Sequence, residues 1–503
     1  MTTRPPSAAP GAASVGIDRS MQPSAPLPPI DADRLWASLR AAARIGSWRS
    51  PGVQRLALTD ADREMRDTFC AWCRESGLEV RVDRVGNIFA RRAGAEPLEP
   101  VVIGSHLDTQ VAGGRYDGAL GVLAGLEILR WLQDNRITTR RPVEVASFTN
   151  EEGARFGPAM LGSGVFAGAV DLERALDQRD EAGVRFGDEL RRIGYDGAEA
   201  VPGRPPRAYL ELHIEQDDVL DRAGVDLGIV TGAYPARAVE IRLRGETGHA
   251  GATPMRRRRD ALAGAAEVIA VVEALGTGTL GGGAAAAGTL RIGAPEAGTL
   301  GGGAAEAGTL GARAARAGAL SAPRATPRGA AAGRCIDEPR ATVTRLEVWP
   351  NRPGIIPGEA VLTVDYRHAG ERELERMGAE LTEAAERVAA RRGLQIATRT
   401  LWEFGAGIRF DSQLARIASE WAARLAVETL RMRSTAGHDA YWMATIAPAL
   451  ILFVPCVDGV THNEHEEIEL HRVLRGVNVL AATALEVANE PPGRTTAAEE
   501  ENK

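Results

Sequence analysis

Four apolar runs in this chain break off at residues of the types that can bind metals. "VVIGSH" ends at His106, and "VEVASFTNEE" ends at Glu151 and Glu152. "AYLELHI" carries His213 near its end, and "LILFVPCVDGVTH" runs on to His462. Short apolar runs bounded by polar or glycine-rich stretches read as buried strands. Between them lie helical patterns such as "GALGVLAGLEILRWLQDN", with apolar residues at three- and four-residue spacings. Strands alternating with helices predict an α/β fold, a mixed and mostly parallel sheet with helices on its faces. In open sheets of this kind, sites form at the carboxyl ends of strands. Any one of these residues alone reads more readily as structural. Four strand ends furnished with His or Glu point to a shared site.

The stretch "GSHLDTQVAGGRYDGALG" sharpens that reading. In an extended "SHLDT", His106 and Asp108 face the same side, so the Asp108 carboxylate is expected to accept the second ring N–H of His106 and fix its tautomer. The glycines of "AGGRYDG" let the chain turn back, bringing Asp117 to the same point. A carboxylate offers two oxygens, so Asp117 can bridge two metal ions. Glu151 and Glu152 can divide the work at a loop, one binding metal and one handling a water proton. Zinc and similar divalent cations take this donor set of His nitrogen and carboxylate oxygen.

At 503 residues the chain is too long for one core, so two domains are expected. The α/β texture covers residues 32–231 and returns over 404–488. Between them, residues 232–403 read as strand, helix, two strands, helix, strand, a ferredoxin-like α+β domain inserted into the first. It is interrupted at 276–338 by a Gly/Ala-rich segment that repeats G-T-L. That segment lacks large apolar residues, so a disordered loop is expected rather than a solenoid. Residues 1–31 and 489–503 read as tails. "MRRRRD", residues 255 to 260, reads as a solvated basic turn.

A net charge of -7 gives no case for nucleic acid or an anionic membrane as partner. No apolar run reaches membrane-spanning length and the N-terminus lacks a signal-peptide pattern, so a cytoplasmic protein is expected. Cys70 and Cys73 form a C-x-x-C within a helical pattern and have no second pair, which favours a structural helix over a metal or redox site.

Taken in order, "GSHLDTQVAGGRYDGALGVLAGLE", "TNEEGARFGPAMLGS", "LHIEQ", "GHAGATPM", "AGHDA" and "DGVTHNEHE" resemble the signatures of the co-catalytic dizinc amidohydrolases. These include N-carbamoyl-L-amino acid hydrolases, allantoate amidohydrolases and β-ureidopropionases, relatives of aminoacylases and zinc exopeptidases. The resemblance runs from about residue 32 to 488, apart from the insertion. It implies a zinc-exopeptidase-like catalytic domain, a dimerisation or lid domain, and two divalent ions per subunit, zinc first, with manganese, cobalt or nickel as alternatives. His106 would share one ion with His213, and His462 the other with Glu152. Asp117 would bridge them, and Glu151 would be the general base. His249, in "GHAGATP", is similar to the residue that stabilises the oxyanion in the partner subunit's site, which implies a homodimer. Gln216, Arg367 and His438 match positions that hold the substrate, with Arg367 gripping its carboxylate as a bidentate fork. The implied substrate is a small N-carbamoyl or ureido compound.

Two departures stand out. The family usually has Asn three residues before the Pro of its "IPGE". Here Gly354 occupies that place, so either Asn351 serves after a loop shift or one substrate contact is missing. Asp217 follows "LHIEQ" where Gly is usual. His465 rivals His462 as a ligand but lies farther from the strand end. A metal-binding protein without catalysis is the reading from a different class; Glu151 beside a full ligand set argues against it.

Overall fold

In the computed structural model, residues 27–279 and 338–491 are described. The repeat segment from 280 to 337 and the tails 1–26 and 492–503 lie outside these residues. Residues 27–30, assigned to the tail on composition, are held against the domain: Ile30 is buried and the Pro28 carbonyl accepts from the Trp131 indole N–H at 2.9 Å.

An eight-stranded sheet forms the larger body. Its order is Glu79–Val82, Ile88–Arg92, Val143–Phe148, Val101–His106, Ala208–Ile214, Ala449–Val454, Leu227–Ala233 and Thr429–Ser434. The four central strands, from Val143–Phe148 to Ala449–Val454, run parallel. They are also the four apolar runs that precede the candidate ligands. Parallel neighbours bring all four carboxyl ends to one edge of the sheet, which is why residues more than three hundred positions apart meet.

The centre of the sheet is apolar on both faces. Val101–His106, Val143–Phe148, Ala208–Ile214 and Ala449–Val454 are buried along their whole length. On one face packs the helix Ala119–Asp134, with Leu120, Leu123, Leu126, Ile128 and Leu129 all withdrawn from solvent. Each such side chain contributes about 1.5–3 kcal/mol of burial. A Cβ on Gly121 would lie 2.5 Å from the Leu212 carbonyl oxygen, so the absence of a side chain there lets the helix sit close on the strands. The helix Leu470–Asn489 packs beside it. The other face carries an aromatic cluster that includes Phe89, Phe148, Tyr209, Tyr441 and Phe453.

The second sheet is antiparallel, in the order Gln395–Phe404, Ala236–Arg244, Glu359–Arg367, Arg340–Trp349. Helices Ala261–Gly276 and Glu371–Arg392 cover one face, so Ala360, Leu362, Val364 and Tyr366 alternate inward while Asp365 and Arg367 face the other way. Chain order is strand, helix, two strands, helix, strand, around an apolar core of its own. Cys70 and Cys73 lie buried and unbonded to each other in the helix Asp60–Glu75. Arg256 and Arg257 form an exposed turn. Among the described residues, no helix is long and apolar enough to cross a membrane.

Candidate metal centre

Strand ends and one tight loop build the centre. His106 closes its strand and His213 is the penultimate residue of the next. Asn150, in the left-handed region at φ 58°, turns the chain past Phe148 to present Glu151 and Glu152. Its side-chain amide is tied to the Phe156 carbonyl at 2.7 Å. His462 is also left-handed, at φ 49°. Such strained backbone persists where surrounding contacts enforce it, and it gathers at functional sites. Gly118, at φ 65°, closes the Asp117 loop; a Cβ there would stand 2.3 Å from the His106 ring.

Asp117 sits in the middle, 3% exposed. Its Oδ1 lies 3.2 Å from His213 Nε2 and 3.9 Å from His106 Nε2. Its Oδ2 lies 3.2 Å from His462 Nε2, which is 3.4 Å from Glu152 Oε2. Donor atoms about 2.0–2.1 Å from a tetrahedral cation stand about 3.3 Å apart, close to these separations. Among the described residues three trios lie close enough to hold a metal ion: His106–Asp117–His213 and Asp117–Glu152–His462, which share Asp117, and Glu211–His213–His438, which shares His213 with the first. Asp117 Oδ1, Glu152 Oε1 and His213 Nε2 are buried and have no hydrogen-bond partner in the protein. Buried polar atoms are normally paired, so Asp117 Oδ1 and His213 Nε2, 3.2 Å apart, fit one bound cation, and Glu152 has an unpaired oxygen in the other trio.

Backbone carbonyls orient the rings. His106 Nδ1 lies 2.9 Å from the Asp108 carbonyl and His213 Nδ1 lies 3.0 Å from that of Ile214. With Nδ1–H donating to these oxygens, Nε2 is left as the ligand atom in both rings. This corrects the sequence expectation for Asp108. Its carbonyl, not its carboxylate, holds His106. The carboxylate accepts from the Glu151 and Glu152 amides at 3.1 and 3.2 Å and fixes the turn that carries them. In the chain's actual course at residue 108, the side chain and the carbonyl point to different neighbours.

Without a cation the electrostatics are strained. Burial pushes Glu152 up to about 8, and burial with the charges of Asp439 and Glu152 holds Glu151 well above the usual range. Burial brings His106 down to about 4. Burial also opposes charge on His213 and His462, but the carboxylates beside them prevail and raise them to about 9 and about 10. Carboxylates crowded in a dry site call for positive charge.

Other candidates fall into two groups. Gln216 joins the centre, its amide donating to Asp117 Oδ2 at 3.1 Å. His438 packs its ring on His213, centroids 4.5 Å apart, with Nε2 3.0 Å from the Ser434 hydroxyl. Glu151 Oε2 is 3.5 Å from His106 Nε2. Arg367 lies on the second sheet, while His249 sits in a separate two-stranded ribbon, Gly248–His249 paired with Ile355–Ile356, and Asn351 in the loop before it. Asp365 takes Nε and Nη2 of Arg367 at 2.9 and 2.7 Å, and the Thr435 carbonyl takes Nη1 at 2.7 Å. A guanidinium has five N–H groups, so one N–H remains on each Nη. His249 is exposed, and its Nδ1 accepts from the Gly251 and Ala252 amides at 3.1 Å. In the neutral ring the proton then sits on Nε2, facing outward as a donor. Asn351 is exposed on the adjoining loop, whose Gly354 carbonyl accepts from Ala250 N at 2.9 Å. Among the described residues, no hydrogen bond or ion pair joins His249 or Asn351 to the centre. Gly354 has φ 82°, a conformation that Gly and Asn tolerate best. The departure there keeps the turn and removes the side-chain amide. His465 is exposed and takes no part.

Sequence reasoning missed several supporting groups. Gln110 donates to Glu152 Oε2 at 3.0 Å. Glu211, fully buried, accepts from Ser105, Tyr209 and the Ala440 amide beside His213. Glu466 accepts from the Tyr116 and Asp117 amides. Only the alternation of Glu211 and His213 on one strand face could have pointed to the second.

Known proteins resemble this chain over most of its length. Residues 102–486 match the model of peptidase family M20/M25/M40. The N-carbamoyl-L-amino-acid amidohydrolase of Rhizobium meliloti is 36% identical over 460 residues, 91% of this chain and 97% of the relative. The allantoate amidohydrolase of Bacillus subtilis is 29% identical over 445 residues, 87% of this chain and 93% of the relative. A crystal structure of an amidase of the hydantoinase/carbamoylase family from Burkholderia vietnamiensis superposes with a TM-score of 0.78 at 39% identity, covering 92% of this chain and 98% of that one. The chain belongs to the peptidase M20/M25/M40 family, and its relatives include several amidohydrolases.

Proposed function

We propose that this protein hydrolyses N-carbamoyl-L-amino acids to the amino acid, ammonia and carbon dioxide, as a cytoplasmic homodimer with two divalent ions, zinc first, in each subunit. The observation that carries the reading is Asp117 shared between two ligand trios, with Glu151 outside both and its Oε2 3.5 Å from His106 Nε2. The relatives named N-carbamoyl-L-amino-acid amidohydrolase support the substrate class.

His106, His213 and Asp117 would hold one ion, and His462, Glu152 and Asp117 the other. When bound, the pair supplies Lewis acidity toward the substrate carbonyl and makes a nearby water more acidic. Glu151 takes the proton of that attacking water and returns one to the leaving nitrogen. The outward Nε2–H of His249 donates to the developing oxyanion. Its exposure, and its lack of contact with the centre of its own chain, favour a role in the partner subunit's site. Residues 232–403 then act as a dimerisation and lid domain. The spare N–H groups of Arg367 hold the substrate carboxylate, while Asp365 and the Thr435 carbonyl keep the guanidinium aimed. His438 and Gln216 line the floor. With Gly354 in the turn, Asn351 is the amide left to reach the substrate from that loop.

Allantoate is the second candidate, favoured by the Bacillus relative. Metal-loaded protein should be assayed on N-carbamoyl-L-methionine, allantoate and N-acetyl-methionine. The expected result is fastest turnover of the carbamoyl compound. Faster turnover of allantoate transfers the assignment to the ureide, and no turnover with metal bound ends it.

A further inference from the structure

The strongest unassigned group outside the ligand set is Glu466. It is 0% exposed, four residues past His462, in the loop that follows the last parallel strand. Its Oε1 accepts two backbone N–H groups at once, Tyr116 at 2.8 Å and Asp117 at 3.1 Å. Its Oε2 lies 3.2 Å from the Thr461 hydroxyl, which is also 3.4 Å from Asp117 Oδ2. The chain makes room for it: a Cβ on Gly114 would fall 1.9 Å from the Glu466 carboxyl carbon. Among the described residues Glu466 has no ion-pair partner, so its contacts are these N–H groups and this hydroxyl.

We propose that Glu466 is a positioning residue for Asp117, clamping the Asp117 loop onto the His462 loop and so setting the separation of the two ligand trios. This rests on the reading of Asp117 as the shared ligand. The argument is geometric. His462 and Asp117 come from loops more than three hundred residues apart, and each trio must meet the same carboxylate. The Asp117 side chain cannot hold its own backbone in place while both its oxygens serve as ligands. Glu466 supplies that restraint from behind, through the main chain, and Thr461 carries it to Oδ2. Groups that support ligands in this way typically change metal affinity or activity by about 10–100-fold when removed.

The test compares E466A, E466Q and T461V in the full-length protein. The readouts are zinc affinity, zinc per subunit, and kcat and KM separately. In E466Q the amide oxygen accepts both N–H groups, and its NH2 donates to Thr461, freeing the hydroxyl for Asp117. E466A should weaken binding of zinc and lower kcat by about 10–100-fold with little change in KM, and E466Q should recover most of that loss. T461V should fall between them. Equal loss in E466Q and E466A, or wild-type zinc affinity and kcat in folded E466A, overturns the proposal. If E466A does not fold, a zinc affinity that drops in T461V while E466Q keeps it supports the clamp, and an unaffected T461V overturns it. A wild-type chain that takes up no zinc removes the reading beneath, which is a different result from a metal-loaded wild type matched by its variants.

Discussion

The parallel-sheet domain and the antiparallel domain carry their candidate residues in opposite ways. At the ends of the parallel strands, His106, Asp117, Glu151 and His213 are buried, with carbonyls fixing both rings, the Gln216 amide holding the Asp117 carboxylate and the Asp108 carboxylate holding the Glu151 main chain. Beside the antiparallel sheet, on a two-stranded ribbon and its loop, His249 and Asn351 stand exposed, and among the described residues no hydrogen bond or ion pair links them to that centre. The first arrangement is drawn from the strand ends and loops of one chain. The second presents donors outward, toward something beyond its own centre. Pre-organised ligands suit a resident cation, whereas groups that contact a substrate only during reaction suit a mobile or separate body.

That contrast can be broken most forcefully at Glu151. E151Q should leave metal binding intact and lower kcat by about 10²–10⁴-fold, the usual worth of a general base. Loss of metal together with activity would make Glu151 a ligand instead. Next comes His249, where H249A should cost about 10²–10³-fold in kcat, as for loss of one oxyanion donor. Mixing the H249A and E151Q proteins and allowing subunit exchange sharpens the comparison. If His249 serves the partner, half the dimers are mixed and each has one intact site, restoring about a quarter of wild-type activity. No recovery after proven exchange would place His249 in its own subunit's site.

A smaller effect concerns pH. In the metal-free protein His213 and His462 are raised to about 9 and about 10, against burial, by the carboxylates beside them. Both therefore hold a proton near neutrality, and metal must displace it. Zinc uptake should release protons, and apparent affinity should rise as pH increases toward those values. Calorimetry in buffers of different ionisation enthalpy measures the release; uptake with no proton exchanged would contradict it. The smallest effect is expected at His465. H465A should change kcat and zinc content by less than about twofold, as for a surface substitution. A loss of metal there would exchange the roles of His465 and His462.

Much of this was legible in the residues because the signal was an abrupt change. "VVIGS" and "AYLEL" are apolar to the point where a histidine interrupts them, and four mutually parallel strands leave those interruptions one place to meet. The helix Ala119–Asp134 and the alternation of Glu359–Arg367 follow periodicities of 3.6 and 2 that sequence carries directly. The supporting groups were hidden for an equally physical reason. Whether Asp108 holds His106 by carboxylate or carbonyl depends on backbone angles that spacing alone does not determine. Glu466 lies in "THNEHEE", where one buried carboxylate among many polar neighbours has no periodic mark. The pairing of Asp217 with Arg340, at the start of the strand that follows the repeat segment, spans 123 positions and two sheets. No local pattern announces it.

The central claim is that Asp117 joins two cation sites. Zinc content of the purified chain, followed by anomalous scattering from its crystals, tests it most directly. The account predicts two ions per subunit about 3.5–4 Å apart, with Asp117 between them. One ion, or two ions that do not share Asp117, would contradict it.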